Sequence, residues 1–443
     1  MKALLPGALL AVLACMAPAA EDAAESRRAD LAQFRTQVLG KDRSYSPEAR
    51  AQAESRLARL ESTAGEVSPA FFELELARIV ALADNGHTVY FAGSRSRRFN
   101  RVNVRLVPFG EDFYVLHAKE PDNDLLGARL VAIDGQPVAK AREAARTLAG
   151  GTAAWRDRSA PYFLESPEQM HALGVTTDPE AAAYRFEAVD GTPVERRLAA
   201  GKGNPVGGNF DRWFYPGTTE SKDGPWRALL TAERAPWALQ DPESPFRWRD
   251  APEMGAMIIE LRQSTDRNGR SIEAFFEEMT QRLREEKPRN LVLDMRMNGG
   301  GDLTRTRDFM QSLPGLVPGR IFALISPWTF SAAISSLGYL EQAAPERVTL
   351  VGEPVGDRLR FWAEGQPVEL PWSHAVILIA TQRHDYLNGC RTFDDCHAEV
   401  RRRPISVPTL QPDLAAPWTI GAYRSGRDPA MEAVQEALGH PAR

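Results

Sequence analysis

Cysteine is scarce in this chain: three occur in 443 residues, at positions 15, 390 and 396. So few thiols exclude a disulfide-stapled miniprotein and any zinc finger built on four cysteines. Long apolar runs are scarce too. Beyond the first twenty residues no stretch offers the roughly 18 unbroken apolar residues that a membrane-crossing helix needs. Neither sign of charge dominates, since 54 Lys and Arg stand against 59 Asp and Glu for a formal net of −5. Such a balance carries no electrostatic footprint for nucleic acid or an anionic membrane. Phosphate-cradling signatures are also missing. No G-x-x-x-x-G-K-[ST] occurs and no G-x-G-x-x-G follows a strand, which argues against a nucleotide-dependent enzyme.

What remains is an ordinary globular composition, 43% hydrophobic and 26% charged. The length leaves ample room for a core divided over two or three domains.

The first residues read as an export signal. Lys2 precedes the apolar stretch Leu4 to Ala14, and Ala17-Pro18-Ala19 offers a cleavage site, expected after Ala19. Leu13-Ala14-Cys15 offers lipid attachment at Cys15 as the alternative. The expected location is periplasmic or secreted. In that setting Cys390 and Cys396, six positions apart, are expected to pair across a small loop. His384 and His397 flank them, but the spacing matches no common zinc pattern. No metal site and no cofactor are therefore expected.

The organisation is legible in order. Residues 20–97 read as helical: Ser46-Pro47 and Ser68-Pro69 each supply an N-cap and a first-turn proline, and Gly86 stops the second helix just before His87. Residues 98–200 read as mostly β, with turns at Asp134-Gly135 and Asp190-Gly191. Residues 201–250 form a glycine- and aromatic-rich segment whose Trp213, Phe214, Trp226, Trp237, Phe246 and Trp248 are expected to pack domains together. Residues 251–443 alternate strands and helices.

The most informative stretch is Asn290 to Glu353. NLVLDMR reads as a strand buried on both faces, and it stops at Asn298-Gly299-Gly300-Gly301. RIFALIS is the next buried strand, and it delivers Thr329-Phe330-Ser331-Ala332 to the mouth of a helix. There N–H groups and the helix dipole converge. A serine so placed suits nucleophilic attack, its oxyanion held by neighbouring N–H groups. The bland alternatives are a serine that merely caps the helix, a triple glycine that merely turns the chain, and a structural His87.

These residues resemble the C-terminal processing (tail-specific) and tricorn-like serine peptidases. The shared pattern is D-x-R-x-N-G-G-G at Asp294–Gly301, T-x-S-A at Thr329–Ala332 and G-E at Gly352–Glu353, with a later G-R-D-P tag at Gly426–Pro429. The resemblance implies an α+β, α/β-type fold: a crotonase-like ββα catalytic core, an N-terminal helical segment and an inserted PDZ-like β domain. It implies Ser331 as nucleophile, with the backbone N–H groups of Gly300 and Ala332 as the oxyanion hole. It also implies a peptide or protein substrate.

Three departures stand out. Asp357 occupies the slot where processing proteases carry a lysine base, Gly86 sits where tricorn-like relatives carry a serine, and Ile334 replaces a frequent glutamate. The segment Asp84-Asn85-Gly86-His87-Thr88 supplies the histidine of the tricorn-like type, so His87 is the implied base. The acid behind it stays open among Glu399, Asp385 and Glu353. Alternatives are a catalytically silent peptide-binding relative, or an esterase or thioesterase of crotonase-like fold.

Overall fold

A computed structural model describes residues 23–201 and 210–439. The expected export signal, Cys15 and most of the glycine-rich start of the 201–250 segment lie outside the described residues.

The C-terminal half is built on a six-stranded sheet. Its spatial order runs from the edge strand Leu414–Ala415 through Val348–Gly352, Ile321–Ile325, Asn290–Asp294 and Ala256–Leu261 to Phe246–Ala251. All neighbours are parallel except the last pair. Parallel strands need crossovers, and three helices supply them: Ile272–Glu286, Leu303–Leu316 and Ala332–Ala343. Their apolar faces cover the sheet. Phe275, Phe276, Met279 and Leu283 of the first helix are buried, at the spacing of one helix face.

Parallel strands covered on both sides lose the polar alternation of surface strands, which is why IFALI and NLVLD read as continuous apolar runs. Every residue of both strands is buried.

The N-terminal half places the helices Pro47–Ser62 and Pro69–Ala81 against an antiparallel sheet. Ser46 and Ser68 accept from Ala49 N and Phe71 N, the caps that the sequence proposes. The sheet runs Val104–Phe109, Asp112–Ala118, Arg129–Ile133, Ala181–Glu187, Pro193–Ala199. Three short helices, Ala153–Ser159, Pro161–Leu164 and Pro167–Ala172, follow a longer one at Val138–Arg146. Helices and sheet bury one continuous apolar core, which Ile377 and Ile379 enter from the far end of the chain.

Two features bind the halves together. A third small sheet pairs Val89 with Leu378 and Tyr90 with Ile377, so the strand just after His87 is held by the C-terminal half. Half of the aromatic segment packs as expected: Trp213, Phe214 and Trp226 are buried in one cluster with Trp328, Trp418 and Tyr423, whereas Phe246 lies in the C-terminal core and Trp237 and Trp248 are half-buried.

Candidate active site

The strand Asn290–Asp294 ends in two buried charges. Arg296 makes a forked pair with Asp294 at 3.0 and 2.6 Å and a second with Asp428 at 2.7 and 2.9 Å. Planar guanidinium geometry favours such double pairing. It ties the D-x-R step to the G-R-D-P tag at the other end of the chain.

Beyond Arg296 the loops are tied to one another by hydrogen bonds. Thr329 Oγ1 donates to Met295 O at 2.9 Å and accepts from Ser326 N at 3.0 Å. Phe330 N donates to Asn298 O at 3.0 Å, and Gly356 N donates to Thr329 O at 2.9 Å. These bonds leave the Thr329–Ala332 turn little freedom.

Ser331 stands at the N-terminus of the helix Ala332–Ala343 with φ 56° and ψ −125°. Non-glycine residues rarely adopt positive φ, and holding one there costs on the order of 1–3 kcal/mol. The Ser331 side chain makes no capping bond, which removes the bland reading of this serine.

Gly300 faces it. At φ 105°, Gly300 brings its α-carbon so near that a Cβ there would stand 2.6 Å from Ser331 Cβ and 3.1 Å from Ala332 N. Only glycine fits this approach. The geometry corrects one expectation: the Gly300 N–H is not uncovered, because it donates to Asn298 Oδ1 at 2.9 Å. The asparagine side chain folds back two residues on, as Asn does in tight turns.

His87 arrives from the opposite end of the sequence. Asn85 pins the loop by pairing with the Trp362 backbone, donating to its carbonyl at 3.0 Å and accepting from its N–H at 3.0 Å. The imidazole lies between two parallel rings, Phe330 at 4.3 Å and Phe361 at 4.9 Å. Phe330 precedes Ser331, so the ring packing sets the histidine beside the serine turn.

The carboxylate behind the imidazole is Asp357, 3.2 Å from Nδ1 through Oδ2. The approach is that of an ion pair and is not aligned as a hydrogen bond in this state. Asp357 is 4% exposed, and its other oxygen accepts from Arg358 N at 2.8 Å. Among the described residues His87 Nε2 is buried without a hydrogen-bond partner, and the Ser331 side chain makes no capping bond.

The three carboxylates expected behind His87 are engaged elsewhere. Glu399 pairs with Arg307 and Arg402. Asp385 pairs with Arg360 at 3.1 Å and accepts from Leu387 N. Glu353 is half-buried, desolvation pushes its carboxyl up, and it accepts from Trp418 N at 3.3 Å. Cys390 and Cys396 form the expected disulfide.

Asp357 is the residue that sequence reasoning passed over, because it was read only as a lost lysine. Its signal was an acid in that slot in a chain whose implied base is a histidine. Gly86 is explained by the same contact. A Cβ there would stand 2.8 Å from Asp357 Oδ2 and 3.0 Å from the Phe330 ring, so a serine at 86 has no room.

A cavity of about 330 Å3 opens beside His87, walled by Phe330, Trp155, Tyr162, Arg95 and Gly299.

No protein-family model matches the chain, and no curated protein matches its sequence. Solved structures do. Mature CPAF complexed with lactacystin superposes with a TM-score of 0.53 over 94% of this chain and 98% of that one, at 15% identity. Mature CPAF alone gives 0.54 over 94% and 96%, at 14% identity. The chain has the CPAF fold. The photosystem II D1 C-terminal processing protease follows at a TM-score of 0.34, covering 91% of this chain and 96% of that one at 14% identity.

Proposed function

We propose that the chain is an exported serine peptidase that hydrolyses peptide bonds through an acyl-enzyme on Ser331, with His87 as general base and Asp357 as the acid that orients it. The observation that carries the reading is the His87–Asp357 contact, 3.2 Å long and buried, beside a serine in a strained turn at a helix N-terminus. A serine hydroxyl is a poor nucleophile at neutral pH, so a neutral imidazole must take its proton during attack. The Asp357 carboxylate favours the tautomer with its proton on Nδ1 and stabilises the imidazolium that forms.

The Ala332 N–H is the first oxyanion donor and lies at the positive end of a helix dipole. The Gly300 N–H is the second, turning from Asn298 Oδ1 to the oxyanion. Water then releases the acyl group, His87 acting again as base. The aromatic-walled cavity beside His87 receives a side chain of the substrate. No step calls for a cofactor.

A crotonase-like reading of the sheet and a PDZ-like reading of residues 98–200 belong to this proposal, as does delivery to the periplasm or outside the cell. The expected helix–sheet order supports the first. Export rests on the signal-like start and agrees with the Cys390–Cys396 disulfide.

A peptide binder without hydrolytic activity is the second reading. It draws on two observations: Ser331 and His87 form no hydrogen bond with each other, and the Gly300 N–H is taken by Asn298. Incubating the protein with a peptide library and with matched esters separates the readings by mass spectrometry. Cleaved peptides that vanish with Ser331→Ala support the peptidase; cleavage of esters alone supports an esterase; recovery of intact bound peptides supports the binder.

A further inference from the structure

A second cluster of histidines lies behind the first. Phe361, which backs His87, presents its other face to His384 at 4.8 Å, and His384 stacks on His397 at 5.5 Å. Glu364 follows at the end of the strand Arg360–Ala363, with φ 59°. One ligand atom each from Glu364, His384 and His397 lies within 4.8 Å of the other two.

The donor atoms are left open. His384 is 2% exposed, and its Nε2 makes no hydrogen bond. Glu364 Oε1 approaches that nitrogen to 3.2 Å, close enough for an ion pair but not aligned as a hydrogen bond. His397 Nδ1 is likewise buried without a partner. Leaving His397 Nδ1 unpaired, and His384 Nε2 with only a misaligned carboxylate, is costly unless something binds them. The opposite nitrogen of His384 is fixed: Nδ1 lies 2.8 Å from Tyr386 Oη, which lies 2.6 Å from Ser335 Oγ. Metal-bound histidines are typically oriented by such a partner on the other nitrogen.

We propose that Glu364, His384 and His397 bind a divalent transition-metal ion, with zinc the best match. Imidazole and carboxylate donors suit zinc, which accepts three protein ligands with a fourth position open to water. Bonds near 2.0–2.2 Å to one ion place the donors about 3.3 Å apart, close to the observed Glu364–His384 separation. Glu364 also borders a surface groove shared with Gln33, Lys41 and Thr381, which gives an ion an entry path.

The three ligands come from separate segments. Glu364 directly follows the strand Arg360–Ala363, His384 lies on the paired strand Gln382–Asp385, and His397 follows Cys396. A bound ion therefore clamps the disulfide loop to the strand pair whose Phe361 supports His87. The cysteines are oxidised to each other and supply no ligand.

Untagged wild-type protein, stripped with EDTA and kept oxidised, is dialysed against zinc chloride and assayed by elemental analysis. The expected result is a single zinc per chain and a raised melting temperature. Glu364→Gln and His397→Gln, both near the surface and checked for native circular dichroism, should each weaken binding at least about tenfold and abolish the melting shift. Cobalt(II) in place of zinc should give the intense visible bands of a tetrahedral site in the wild type alone. No binding by the wild type overturns the assignment, as does equal binding by both variants. Zinc lost in His87→Ala but kept in His397→Gln would place the ion at His87 and Asp357 instead, and also overturns it.

Discussion

Asp357 Oδ2 stands 3.2 Å from His87 Nδ1, although the two residues come from opposite halves of the chain. The residue in the slot of a missing lysine base thus stands behind the proposed histidine base. Two of the three departures, Asp357 and Gly86, become parts of one arrangement: the carboxylate occupies the space that a side chain at 86 would need.

Asp357→Asn tests that arrangement. The amide no longer stabilises a protonated imidazole and presents the wrong group to Nδ1, so the rate of reaction at Ser331 should fall roughly a thousandfold or more while the fold persists. Stopped-flow or timed mass spectrometry with a fluorophosphonate measures this. A rate equal to wild type removes Asp357 from the mechanism.

Gly86→Ala adds one methyl group 2.8 Å from Asp357 Oδ2. The carboxylate or the imidazole must shift, and a displacement of this order costs about a hundredfold in rate. The expected signature is slow labelling with a nearly unchanged melting temperature. Unimpaired labelling would show that the contact is slack.

Arg296→Met isolates a structural claim. It leaves Asp294 and Asp428 without their forked partner in a buried setting, at a cost of about 3–5 kcal/mol. Urea denaturation should show a lower midpoint. A change below about 1 kcal/mol would mean that solvent compensates the charges, as at surface pairs.

His117 makes stability depend on acid. It is 1% exposed, and burial lowers its pKa from 6.5 to about 4. The unfolded chain binds a proton that the folded chain refuses, so stability is full above pH 6.5 and is lost as pH falls toward 4. The loss over that window is on the order of 3 kcal/mol. His117→Gln should flatten the urea midpoint between these pH values; an unchanged slope would contradict the assignment.

Most of the sheet was legible in the sequence. Ile321–Ile325 and Asn290–Asp294 are recognisable because strands buried on both faces lose polar alternation. The helices at Pro47 and Pro69 announce themselves by Ser-Pro caps. The three helices between Ala153 and Ala172 were missed, being short and without a clear apolar period.

The site divides in the same way. Ser331, Ala332 and the glycine turn sit on motifs whose spacing is local. The partner of His87 is set by the pairing of Tyr90 with Ile377 and by Asn85 on Trp362, contacts between distant segments that no local pattern reveals. The N–H of Gly300 is an oxyanion donor by resemblance alone; the side chain of Asn298, two residues before, covers it.

The central claim is that Ser331 is an activated nucleophile driven by His87. Labelling of the protein with a fluorophosphonate, read by intact mass, tests it most directly. The account predicts one covalent adduct on wild type, localised to Ser331, absent from Ser331→Ala and His87→Ala. A folded wild-type protein that stays unmodified, or an adduct that survives Ser331→Ala, would contradict it.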